Sequence, residues 1–128
     1  VSSHGSKGKI TVGRNTISME QMGAALAGCD NLRLVHFGAC EMMVGDAPER
    51  LQNALPQPAV PVSGYAVTVD WTASALTDFL YFDLVLAKGK PPERAAAILR
   101  KEMVFAGDTA TKGSPLGATH FRIRAGGK

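Results

Sequence analysis

The stretch from Leu32 to Met43, LRLVHFGACEMM, constrains this chain more than any other. It is an apolar run that stops at Gly38 and delivers Cys40 just beyond its end. Leu32, Leu34 and His36 would face one side of a strand and Arg33, Val35 and Phe37 the other, the two-sided pattern of a buried parallel strand. In open α/β sheets, ligands and catalytic groups gather at the carboxyl ends of such strands. A second such end lies upstream, where Val1-Ser2-Ser3 is followed at once by His4-Gly5. If the two strands are parallel neighbours, His4 and Cys40 meet.

With 128 residues the chain is one domain, long enough for a core yet short for a complete α/β enzyme. A net charge of +3 is mild and its basic residues are scattered, while an aromatic share of 6% is low for a stacking platform. Both argue against a nucleic-acid partner. Two cysteines make no disulfide framework, so reduced thiols in a cytoplasmic setting are expected. No signal peptide or membrane span is visible, and three histidines with two cysteines at these spacings make no zinc pattern.

Ile10-Thr11-Val12 and Thr16-Ile17 read as a β-hairpin over the mouth of the site. Ser18 with Gln21 is a capping box opening a helix that carries Met19, Met22 and Leu26 on one face and closes at Gly28. Asp46 with Glu49 repeats that signal for a helix running to about Leu55. Ala59 to Tyr65 reads as a Pro-interrupted strand leading into the loop Ala66 to Trp71. From Thr72 a long helix is expected to turn Leu76, Phe79, Leu80, Leu84 and Leu86 inward and to end at Lys88 before Gly89. A further helix follows Pro91-Pro92, with Ala95, Ile98, Leu99 and Met103 inward. Thr119 to Arg124 alternates as an outer strand with arginines guarding its edge.

A cysteine thiolate is a strong nucleophile, and a nearby imidazole both holds it deprotonated and can protonate a leaving amine. Those are the roles His4 and Cys40 would take, although a lone histidine and a lone cysteine at this spacing read equally as ordinary structural residues. Gly5 leaves the backbone open to a substrate, so its N–H and that of Cys40 would form an oxyanion hole. Cys29, in a helix-to-strand turn, reads as a structural residue. His36, mid-strand, reads as a satisfied core histidine and His120 as a surface one.

The HG pair, the capped helix and the strand ending in Gly38-Ala39-Cys40 together resemble the catalytic half of the caspase-like cysteine peptidases, a group that includes caspases, metacaspases, clostripain, gingipains, separase and bacterial CHAT proteins. Ser63-Gly64-Tyr65 through Val69-Asp70-Trp71, with Ser74-Ala75 to Asp78, extends the resemblance downstream. It implies a three-layer α/β/α sandwich of caspase-haemoglobinase type with a mainly parallel sheet, a peptide or protein substrate, a His4/Cys40 dyad and no cofactor. Gly38 stands where the caspase motif has Gln, and Glu41-Met42 follow the cysteine, which argues against cleavage after Asp. Asp70 lies where the resemblance implies an S1 pocket and would favour a basic P1 residue, or else it caps the helix that follows. Trp71 reads as a pocket wall or as core.

The four expected sheet strands, Val1 to Ser3, Leu32 to Phe37, Ala59 to Ser63 and Thr119 to Arg124, are fewer than the family's sheet contains. The chain is therefore expected to be the C-terminal part of a peptidase domain, completed by an N-terminal segment or a second chain pairing beside Val1. Two rival readings remain: a catalytically inactive scaffold that holds peptides, and a small thiol protein doing redox or acyl-transfer chemistry without a peptide groove.

Overall fold

The computed structural model describes residues 4–57, 60–109 and 112–126, with His4 described by its backbone alone. Two three-stranded sheets form, and neither is mainly parallel. The first is an antiparallel meander of β1 (His4–Ser6), β2 (Lys9–Val12) and β3 (Asn15–Ile17). Its first turn is Lys7-Gly8, with φ of 50° and 76°, the left-handed pair that matches the twist of a two-residue hairpin. The second sheet is mixed: β4 (Val35–His36) pairs parallel with β5 (Val62–Tyr65), which pairs antiparallel with β6 (Phe121–Arg124).

This corrects the expected caspase-haemoglobinase sandwich with its mainly parallel sheet. The chain after His4 finds a partner two residues beyond the next turn, and such local pairing closes a far smaller loop than pairing with the strand before Cys40. His4 consequently opens an antiparallel strand in the first sheet. The expected strand Val1 to Ser3 lies outside the described residues, as does Ala59.

The helices α1 (Met19–Leu26) and α2 (Ala47–Ala54) pack on each other, Gly23 lying so close to Ala54 that a Cβ on it would sit 2.4 Å from the Ala54 Cβ. With Ile10, Met42, Met43, Val35, Phe37 and Val62 they enclose a mainly aliphatic core. The helices α3 (Trp71–Phe82) and α4 (Pro92–Glu102) enclose a second, aromatic core of Tyr65, Tyr81, Leu99 and Phe121, with Leu34 and Ile123 against it. Val35 and Phe37 thus go one way and Leu34 the other, as the alternation of the strand requires.

The inward face of α3 differs from the expectation. Ala73, Thr77 and Tyr81 are its buried residues, while Phe79, Leu76 and Leu86 are exposed. Thr77 satisfies its hydroxyl by donating to the Ala73 carbonyl at 2.7 Å, which lets a polar residue occupy the core face. A π-helical turn, Asp83–Ala87, follows α3 directly and interrupts the single α-helix expected to Lys88.

Candidate active site

Cys40 lies four residues beyond β4, in a turn held by backbone hydrogen bonds. The Glu41 N–H donates to the Val67 carbonyl at 3.2 Å, the Gly8 N–H donates to the Glu41 carbonyl at 2.8 Å, and the Met43 N–H donates to the Tyr65 carbonyl at 2.9 Å. The turn is therefore fixed to the β1–β2 hairpin on one side and to the loop after β5 on the other. Glu41 takes a left-handed φ of 54°, costly for a residue with a Cβ and sustained only where the surroundings demand it.

Gly5 is pressed against this turn. A Cβ built on it would lie 2.3 Å from the Cys40 carbonyl oxygen, 2.9 Å from the Met42 sulfur and 3.0 Å from the Ala39 Cβ, so glycine alone fits. His4 is its chain neighbour, and the side chain of His4 lies outside what the structure describes. The pairing Gly5↔Ile10 sits one step from the turn-closing pair Ser6↔Lys9. Antiparallel alternation then directs the Gly5 N–H away from β2. The approach of the HG segment to Cys40 is thus made by a hairpin, in place of the two adjacent parallel strand ends expected.

Cys40 is partly exposed, and among the described residues its sulfur accepts one hydrogen bond, from the Val69 N–H at 3.4 Å. Both cysteines are free thiols. Asp70 is exposed and acts as the N-cap of α3, its Oδ2 accepting from the Ala73 N–H at 2.9 Å. Trp71 is 90% exposed, which removes its core reading.

A second histidine cluster was not legible as such. The His36 side chain, 7% exposed, lies 2.7 Å from Asp78 through Nε2 and 2.9 Å from the Ser63 hydroxyl through Nδ1. A carboxylate oxygen accepts, so Nε2–H donates to Asp78, and Nδ1 pairs with the Ser63 hydroxyl. The Tyr65 hydroxyl carries one proton and lies within reach of two acceptors, the same Asp78 oxygen and the Ser74 carbonyl at 3.0 Å. Burial, then the hydrogen bond with Asp78, pushes the Tyr65 hydroxyl far above the usual tyrosine range. Burial also pushes the Tyr81 hydroxyl up to about 12. Ser63 is wholly enclosed, so this Ser-His-Asp array cannot present a nucleophile to a substrate and is structural. A buried histidine needs partners. An acid on the apolar α3 was the signal that could have revealed Asp78.

Among the described residues, no group of three or more His, Cys, Asp or Glu side chains is placed to hold a metal, and no helix is long and apolar enough to cross a membrane. Comparison with protein-family models and with curated proteins finds no match for this chain. The chemistry of the site is therefore argued from its own geometry.

Proposed function

We propose that the chain is a cysteine endopeptidase acting through a dyad of His4 and Cys40, of the caspase-like kind that its HG and GAC motifs resemble. The observation that carries this reading is the contact of Gly5 with the Cys40 turn, which brings the residue next to His4 against the backbone of the nucleophile. In this reading the His4 imidazole takes the thiol proton and the sulfur attacks the scissile carbonyl. The Gly5 and Cys40 N–H groups hold the oxyanion, and His4 returns the proton to the leaving amine before water releases the acyl group. The left-handed Glu41 and the glycine-only contact support a turn shaped for chemistry at some cost in backbone energy.

Exposed Asp70 and Trp71 flank the loop that donates to the sulfur, and suit a basic P1 residue with an apolar wall beside it. Free thiols suit a reducing, cytoplasmic setting. The test is labelling by a peptidyl acyloxymethyl ketone bearing Arg at P1, read by intact mass. Labelling of wild type at Cys40 and cleavage of the matching Arg peptide, both lost in Cys40→Ala and kept in Cys29→Ala, are expected. Labelling at Cys29, or a protein that binds the Arg peptide without cleaving it, would overturn the proposal in favour of a thiol protein of another kind or a peptide-holding scaffold.

A further inference from the structure

On the α3 side of β4, away from the Cys40 turn, lies a cleft of about 690 Å³ lined by Leu34, His36, Phe82, Val85, Leu86 and Pro91, with Arg33 and Lys90 also in its wall. The volume falls within the ~300–1,000 Å³ typical of small-molecule sites. Part of the wall is the π-helical turn Asp83–Ala87, which contributes Val85 and Leu86. Such turns are less stable than α-helix and are found frequently at functional sites. This one leaves Leu86 78% exposed at the cleft.

The lining specifies the ligand's chemistry. Both ring nitrogens of His36 are committed to Asp78 and Ser63, so the histidine meets the cleft as an aromatic surface. Leu34, Phe82, Val85, Leu86 and Pro91 present carbon. A sugar or nucleotide base would find few partners there, whereas an aliphatic chain would lose only water. The cations are the remaining feature. Arg33 and Lys90 are exposed and, among the described residues, pair with no carboxylate. Arg33 also lines a neighbouring cleft of about 370 Å³ together with Glu93, whereas Lys90 lines the larger cleft without it.

We propose that this cleft is a binding site for an aliphatic monocarboxylate, its chain against Leu34, Phe82, Val85 and Leu86 and its carboxylate at Lys90 and Arg33. The site is separate from the Cys40 turn, and binding is independent of the thiol.

The experiment is calorimetric titration of the whole chain with hexanoate, octanoate and decanoate, each below its micellar concentration, and with octylamine as the charge control. Saturable one-site binding is expected, tightening ~2–4-fold per added methylene as each leaves water, with octylamine failing to bind. Leu86→Glu should weaken decanoate by roughly tenfold or more, and the double variant Arg33→Gln with Lys90→Gln should weaken it by roughly tenfold, the size of a lost charge-assisted contact. All three positions are in solvent-exposed residues, so the thermal midpoint should hold. Binding that ignores chain length, equal binding of octylamine, or titrations unchanged by both variants would overturn the site.

Discussion

His36 and Cys40 stand four residues apart and live in opposite settings. The imidazole of His36 has each nitrogen within hydrogen-bonding distance of a side chain, and its ring lies among Tyr65, Tyr81, Phe82 and Phe121 with centroids between 5.1 and 6.0 Å away. The thiol of Cys40 is partly exposed and, among the described residues, takes one long backbone N–H, while its turn is clamped by main-chain hydrogen bonds and the Gly5 contact. The difference separates two uses of polar residues. A group saturated by neighbouring side chains stabilises one packing, whereas a group positioned by backbone and left with spare capacity is available to a substrate.

The sharpest way to break this contrast is at the glycine contact. Gly5→Ala forces the hairpin and the Cys40 turn apart, and cleavage should fall by ~100-fold or more, as expected when a nucleophile and its base are misplaced by about an ångström. Steady-state kinetics on the Arg peptide read that loss. Cutting the other region should do the reverse. Asp78→Ala strands a His36 nitrogen and leaves the Tyr65 hydroxyl only the Ser74 carbonyl, and should cost about 1–3 kcal/mol in urea denaturation while the thiol's alkylation rate stays near wild type. Gly23→Ala drives a methyl into Ala54 beneath the Cys40 side of the molecule and should cost about 1–3 kcal/mol.

The smallest effect is expected at Asp108, which lies outside both regions. Hydrogen bonding with Arg122, aided by Arg100, holds its carboxyl down to about 2 from an ordinary 3.8. A depressed folded-state value means that the contribution is complete above 3.8 and is lost as pH falls from there toward 2. The carboxylate is exposed, so Asp108→Asn should flatten only slightly the acid limb of a stability-versus-pH curve.

Much of the fold was legible where local chemistry decides it. Ser18 and Gln21 form the expected reciprocal capping box, with the Gln21 N–H donating to the Ser18 hydroxyl at 3.2 Å and the Ser18 N–H to the Gln21 side-chain oxygen at 2.8 Å. Asp46 carries a similar signal at the start of α2 but makes no side-chain cap, its carboxylate lying 3.7 Å from Arg50. The guarding arginines of β6 are anchored: Arg122 to Asp108 and Arg124 to the Gln52 side-chain oxygen at 2.7 Å. Sheet membership was lost because strand pairing is a non-local choice, and the two-residue turn at Lys7-Gly8 sends His4 into a sheet of its own. The inward face of this helix was read in part: Leu80 and Leu84 pack against the second core as expected, whereas a count of apolar residues also favours Phe79 and Leu86, where packing selected the small and hydrogen-bonded Ala73 and Thr77. Of the site, Asp70 resolved into a helix cap that remains exposed, and Asp78 went unseen because its partner is 42 residues away in sequence.

The central claim, that Cys40 is poised for chemistry by the segment carrying His4, is tested most directly by the rate at which iodoacetamide alkylates each cysteine near neutral pH, followed by peptide mass spectrometry. Cys29, the more exposed thiol, serves as the internal reference. The account predicts that Cys40 reacts about tenfold faster than Cys29 despite its lower exposure, and that His4→Ala brings it down to the Cys29 rate while Asp78→Ala leaves it unchanged. A Cys40 that reacts more slowly than Cys29, or at a rate indifferent to His4→Ala, would contradict it.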